Sequence, residues 1–330
     1  MRRVIVVGAG FFGSLVARRL RDAGIAPAIA TRVGADLRLD AEDETSIAAV
    51  LREGDVIVDT AGPFATRTTK LLRAALDRGC DVVDLAESLA WSEAVLALDA
   101  RAAEAGVRVY PACSAVAAVT GACVRASDIA EPERVDQFLA PASAETASPA
   151  AVRGFIRSLG LPIRTWREGA MATVRGYAET RAFPASAHQG GIVENAGTVL
   201  LPLAWPTLRR VDFWVDPNVP LGHASLAIAA RQDELASLAR SLARRIGPGP
   251  LGNHAGEYAV AVSGGAASVA FTLSAPKRSY LIATEPAAIV AAELARARPL
   301  HGGVVLPDAQ VDPDVLFDRL RALGITIARA

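Results

Sequence analysis

The sequence predicts an α/β protein: first a doubly wound parallel sheet, then a second α+β domain built on a mostly antiparallel sheet. Three observations predict it. Short apolar runs alternate with amphipathic stretches through the first 125 residues. A glycine loop, Gly8-Ala9-Gly10-Phe11-Phe12-Gly13, follows the first apolar run directly. Beyond about Arg125 the chain changes to β-like segments with one clear helix, Gln232–Ile246.

The elements follow in order. Val4–Val7 is a run of β-branched residues that stops at glycine, the mark of a buried strand. A helix runs from about Gly13 to Ala23, Pro27–Thr31 is the second strand, and Asp36–Asp40 is a third. Thr45–Arg52 reads as helix, and Asp55–Thr60 as a strand of the fully buried parallel type. Ala65–Arg78 is a helix stopped by Gly79, ahead of a strand at Asp81–Leu85. Ser88–Ala105 is one longer helix closed by Gly106, and Val107–Cys113 is the sixth strand. Residues 130–150, with Glu131-Pro132, Pro141-Ala142-Ser143 and Ser148-Pro149, have a connector composition. Strand-like segments then recur at Met171–Thr180, Arg210–Val215, Tyr258–Ser263 and Ala267–Leu273. Gly247-Pro248-Gly249-Pro250 terminates the intervening helix. The chain closes in αβ character: helix Pro286–Arg298, a turn at Gly302-Gly303 and helix Asp314–Leu323. Residues 1–125 plus 285–330 are therefore assigned to a dinucleotide-binding domain, and 126–284 to a domain for substrate and dimer contacts.

Composition narrows the partners. Hydrophobic residues make up 52% of the 330, enough for a sizeable core. Thirty-five basic groups balance 35 acidic ones, so no global field favours nucleic acid or an anionic membrane. Aromatics at 5% also argue against base stacking. Cys80, Cys113 and Cys123 form no CxxC pair; without a signal peptide, the chain reads as cytoplasmic and reduced. No His or Cys spacing suits a metal, and no Gly-x-Ser-x-Gly follows a strand.

The glycine loop carries the chemistry. Gly8 permits a tight turn, Gly10 lets the backbone approach a pyrophosphate, and Gly13 allows helix and strand to pack closely. Phe11 and Phe12 stand between them in the same cradle. This is the phosphate-binding turn of a Rossmann domain, placed after a strand and at the start of a helix. An NAD-preferring site puts a carboxylate at the end of the second strand, on the ribose. Here that strand ends in Thr31-Arg32, and a guanidinium pairs with a 2′-phosphate. The expected cofactor is NADP(H).

Asp55-Val56-Ile57-Val58-Asp59-Thr60-Ala61-Gly62-Pro63-Phe64 resembles the saccharopine dehydrogenase-like family of Rossmann oxidoreductases, whose fourth strand ends in an Ala-Gly-Pro-Phe turn. Val82-Val83-Asp84-Leu85-Ala86-Glu87 and the closing Gly302-Gly303-Val304-Val305-Leu306-Pro307-Asp308 are similar to it too. The likeness covers roughly 1–125 and 285–330, and only the outline of the middle. It implies that Thr60, Ala61, Gly62, Pro63 and Phe64 lie along the cofactor and that Asp40 sits near the adenine. It also implies that Asp84 and Glu87 edge the nicotinamide. Independently, Thr60, Asp84 and Cys113 fall at carboxyl ends of parallel strands, where ligands bind. The segment Tyr110-Pro111-Ala112-Cys113-Ser114 departs from the family's glycine-rich turn, so no saccharopine chemistry is assigned.

Hydride transfer to C=N or C=O leaves charge on the heteroatom and calls for a positioned acid. His188, His223, Lys277, Tyr280, Tyr110 and Glu87 are the candidates. Lys277 is one of two lysines in an arginine-rich chain, a group whose pKa burial can tune. Asp84, Glu87 and Lys277 form the expected catalytic set. The expected enzyme is an NADP(H)-dependent oxidoreductase acting on a small imine, amine or carbonyl compound, with a homodimer expected by analogy. Reduction of an activated C=C bond, and cofactor sensing without catalysis, are the alternatives.

Overall fold

The computed structural model describes residues 1–146, 149–242, 252–298 and 300–330. The chain opens with β1 (Val4–Val7), α1 (Phe11–Asp22), β2 (Ala28–Thr31), β3 (Leu37–Arg38), α2 (Glu44–Val50) and β4 (Val56–Asp59). A 3₁₀ turn at Phe64–Thr66 precedes α3 (Lys70–Asp77), β5 (Asp81–Asp84), α4 (Leu89–Leu96), α5 (Asp99–Glu104) and β6 (Arg108–Tyr110). A turn of π-helix, Ala115–Val119, leads into α6 (Thr120–Arg125). The middle of the chain holds β7 (Arg134–Ala140), α7 (Ser143–Thr146), α8 (Pro149–Ile156), β8 (Pro162–Arg167), β9 (Ala170–Arg175), β10 (Thr180–Ala182) and β11 (Gln189–Val193). It continues with α9 (Gly197–Ala204), β12 (Arg210–Val215), α10 (Gly222–Ala229), α11 (Asp233–Leu242), β13 (Gly256–Gly264) and β14 (Ala267–Ala275). The chain closes with α12 (Leu281–Arg296), β15 (Gly303–Val304), α13 (Pro313–Ala322) and β16 (Thr326–Arg329).

Two compact units result: Met1–Ala122 with Ala283–Leu316, and Cys123–Ile282 with Phe317–Ala330. The first is a seven-stranded, all-parallel sheet in the order β15-β6-β5-β4-β1-β2-β3. Strand order reverses between β1 and β4, which makes that edge the switch point of a doubly wound sheet. Ile5, Val7, Ile57, Leu72, Leu76, Val82 and Val109 belong to one core cluster of this unit. The expected helix 65–78 forms as a 3₁₀ turn followed by α3. The expected helix 88–105 is two helices, and Leu98 between them is buried.

On α12, Glu285 is fully buried and pairs with Arg19 of α1 (Nε to Oε2, 2.8 Å). Arg19 also pairs with Asp22 (2.7 Å), so losing Glu285 removes a charged hydrogen bond without leaving the guanidinium unpaired. Glu285→Ala is therefore expected to cost about 2 kcal/mol of stability, read as a lower urea midpoint.

The second unit is a nine-stranded sheet in the order β10-β11-β12-β7-β13-β14-β16, with β8 and β9 attached to β12. Its pairs are antiparallel except β12–β7. Three expectations need correction here. Residues 130–150 are not a connector: they contain β7, a central strand whose Asp136 and Gln137 are buried. Asp136 is held by Arg134 (2.6 Å), Arg181 (2.8 Å) and Trp214 Nε1 (2.9 Å), so a charged residue is tolerated mid-sheet. The unit also carries α7 to α10 besides the expected helix. Finally, β16 pairs with β14, so the last residues complete this sheet rather than the first one. Gly247-Pro248-Gly249-Pro250 lies outside the described residues. Among the described residues, no helix is long and apolar enough to cross a membrane.

Candidate cofactor and active site

The site of the first unit grows from the carboxyl ends of β1, β2, β4, β5 and β6. Gly8 leaves β1 at φ +102°, a conformation that favours glycine, and its amide donates to Ala30 O (2.9 Å). A Cβ on Gly13 would stand 2.1 Å from Gly8 O and 2.5 Å from Thr60 Oγ1. Only glycine lets α1 come this close to the strand ends. Gly10 is different: a Cβ there would meet nothing within 4 Å. It is the N-cap of α1, with no side-chain cap and no acid in the first turn. Such a helix end offers backbone amides and positive potential to an anion. Phe11 and Phe12 beside it are both exposed and meet edge to face at 5.3 Å.

At the end of β2, Arg32 is exposed and makes no hydrogen bond or ion pair with a described residue. The nearest following acid, Asp36, accepts from Ile29 N (2.8 Å) and so folds its own loop. The register Thr31↔Arg38 sets a second exposed arginine on the neighbouring strand, a residue that sequence reasoning missed. The hydroxyl of Thr31 is buried without a partner. Asp40 is half-buried and accepts from Glu42 N (3.0 Å), shaping the turn into α2.

The turn after β4 is pinned by a pair that sequence reasoning also missed. Asp59 is buried at the strand end and receives both Arg67 Nη1 (2.8 and 2.9 Å) and Ala61 N (3.1 Å). Arg67 Nη1 also donates to Ala61 O (2.7 Å). The guanidinium lies over Phe64 and Trp91, 5.3 and 5.4 Å from their ring centroids. Thr60 Oγ1 donates to Val7 O (2.9 Å), and the Gly62–Pro63 peptide is cis. Ala61 to Phe64 are thereby fixed beside the glycine loop, through Thr60. No spacing rule links Asp59 to Arg67, so the only advance signal was an arginine shortly after a strand-end acid.

Asp84 ends β5, buried, and its carboxylate is fully engaged. It accepts from Ala86 N (2.9 Å), Ala112 N (2.8 Å) and Trp91 Nε1 (3.0 Å). Desolvation raises its pKa to about 6 against these donors. It ties the loop after β5 to the loop after β6; Ser88, accepting from Trp91 N (3.3 Å), is the cap of α4. Glu87 is solvent-accessible and has no hydrogen bond or ion pair with a described residue. Cys113 is buried, and burial pushes its thiol pKa well up. Lys277 belongs to the second unit, on an exposed turn after β14, with no described partner. A separate cavity of about 510 Å³ around Arg2, Arg52 and Arg298 lies at the other end of the strands, away from the glycine loop.

Residues 4–109 match the family model described as the saccharopine dehydrogenase NADP binding domain. No curated protein matches the chain. Among solved structures it is similar to C. glutamicum DAP dehydrogenase in complex with DAP, at 12% identity over 97% of this chain and 98% of that one, TM-score 0.45. It is also similar to an engineered D-amino acid dehydrogenase bound to NADP+, at 13% identity over 97% and 98%, TM-score 0.46. A third is GenD2 from gentamicin A biosynthesis in complex with NAD, at 16% identity over 100% and 97%, TM-score 0.41. The parallel sheet, the glycine loop and the family match define the class, an NAD(P)-dependent Rossmann oxidoreductase. Within that class, residues 4–109 are a saccharopine dehydrogenase-type cofactor-binding domain.

Proposed function

We propose that the protein is an NADP(H)-dependent oxidoreductase transferring a hydride to or from a small imine, amine or carbonyl compound. The observation that carries it is the contrast between two glycines. Gly13 is packed shut, while Gly10 faces open space at an uncapped helix end, a cradle that fits a pyrophosphate and that a Cβ would fill. Gly8, Phe11 and Phe12 complete that cradle, and Thr60 to Phe64 line the cofactor from β4. Preference for the 2′-phosphate is supported by Arg32 and Arg38, and by Asp36 being occupied with Ile29. Asp40 and Thr31 flank the adenosine end.

The bound nicotinamide supplies the hydride. The chain's part is to hold it, exclude competing reactions and move a proton. Of the three residues read for proton transfer, Glu87 fits best. It is accessible and unpaired, a carboxyl open to a substrate. Asp84 positions the loops around it, and Lys277 is exposed on the turn after β14, without a described partner. The reading includes a homodimer in a cytoplasmic setting, which light scattering and localisation test.

NADPH oxidation against a panel of imines, keto acids and enones tests the reaction class. Turnover on imines or keto acids is expected; tight NADPH binding without turnover on any of them would turn the reading to a sensor. Arg32→Ala is expected to weaken NADPH about 10- to 100-fold while leaving NADH unchanged, measured by fluorescence titration. Glu87→Gln is expected to lower kcat at least about 100-fold with circular dichroism unaltered. The loss of reductive activity at rising pH, where Glu87 ionises, should vanish in that variant.

A further inference from the structure

One histidine singled out in the sequence has a partner that the chemistry above does not use. His188 Nδ1 lies 2.9 Å from Asp216 Oδ2, and Asp216 Oδ1 accepts from Asn218 N (2.8 Å). Phe183 packs against the imidazole, with ring centroids 5.5 Å apart. The ring is thus fixed in orientation through one nitrogen, which leaves Nε2 to face whatever enters. The hydrogen bond to Asp216 favours the charged imidazolium.

His188 lines a recess of about 240 Å³ within the second unit. The sheet register explains the rest of its wall. Glu257 on β13 stands opposite Ser274 on β14, and Ser274 stands opposite Thr326 on β16. Residues directly opposite in adjacent strands share a face, so the three polar side chains form one row across three strands. All three line the recess. Glu257 accepts from Ser186 Oγ through Oε1 (3.0 Å) and remains half-buried beside the cavity. Its charge acts on His188 electrostatically, so the two groups are neighbours, yet neither spends itself on the other in a hydrogen bond.

A fixed imidazole donor and a fixed carboxylate on one small polar cavity favour a ligand bearing both signs. Asp216 offsets any charge on His188, so the selection lies in the number of contacts: a simple anion or a simple cation makes one of the two, and a zwitterion makes both, with the Ser274 and Thr326 hydroxyls left for a polar tail. At about 240 Å³ the recess has room for a small amino acid. We propose that this recess binds the head group of a small amino acid-like zwitterion, its carboxylate on His188 Nε2 and its ammonium on Glu257. The site lies wholly in the second unit and stands independently of the cofactor assignment.

The test uses the full chain labelled with ¹⁵N-histidine. His188 resonances, assigned by their absence in His188→Gln, are followed during titration with glycine, acetate and methylamine. Glycine is expected to shift the His188 resonance saturably in the millimolar range, with acetate and methylamine at least about 10-fold weaker. Glu257→Gln is expected to weaken glycine at least about 10-fold, with circular dichroism and NADPH binding retained. Acetate acting as strongly as glycine, an unchanged glycine titration in Glu257→Gln, or no His188 shift with any probe would each overturn the proposal.

Discussion

Gly10→Ala is expected to weaken NADPH binding about 100-fold while changing stability by no more than about 1 kcal/mol. The backbone there is extended, at φ −69° and ψ −175°, which alanine adopts freely. A Cβ meets no protein atom within 4 Å, so the fold has nothing to rearrange. The small cost of losing a glycine cap is offset by the reduced freedom of the unfolded chain. The methyl group instead enters the space next to the amides of the first turn of α1, where a pyrophosphate must approach the backbone. Gly13→Ala is the control with the opposite signature. Its Cβ would stand 2.1 Å from a backbone oxygen, so strand and helix must separate, and both stability and binding should fall. Thermal melts and fluorescence titrations of the two variants separate these effects. Wild-type affinity in Gly10→Ala would show that the pyrophosphate does not lie there.

Asp84→Ala is expected to cost on the order of 3 kcal/mol or more, lowering the unfolding midpoint of the protein by roughly 5 °C. Three buried donors, the amides of Ala86 and Ala112 and the indole of Trp91, lose their acceptor together. The loops after β5 and β6 are then no longer tied, so Glu87 loses its placement as well. The same carboxyl sets a pH dependence. Its folded pKa of about 6 exceeds the ordinary 3.8, so the folded state keeps the proton longer than the unfolded chain. Its stabilising contribution is fully present below pH 3.8 and is lost as pH rises through about 6. At 1.36 kcal/mol for each pKa unit, that loss is on the order of 3 kcal/mol. Asp84→Asn, which does not titrate, should lack this fall between pH 4 and 6 in urea unfolding curves.

The first sheet was legible because parallel strands buried on both faces are written as apolar runs, Val4–Val7 and Val56-Ile57-Val58 among them. Gly8, Gly10 and Gly13 were legible for a related reason: their spacing encodes a local turn that needs no distant residue. What escaped depends on partners far apart in the chain. β7 reads Arg-Val-Asp-Gln-Phe-Leu-Ala, and its buried Asp136 is tolerable only because Arg181 and Trp214 arrive from other strands. The hold of Arg67 on Asp59, and of Asp216 on His188, are equally tertiary. α9 hid behind Pro202 within its span, where propensity argues against a helix that packing nevertheless supports.

The first unit takes an edge strand, β15, and the buried helix α12 from beyond residue 282. During synthesis, residues 1–122 therefore emerge as an open sheet whose β6 edge lacks its neighbour. The 160 residues 123–282 must pass before closure begins, a delay of roughly 8 to 30 s at typical elongation rates. Over that interval β6 is an unprotected edge, with open backbone groups able to pair with another chain.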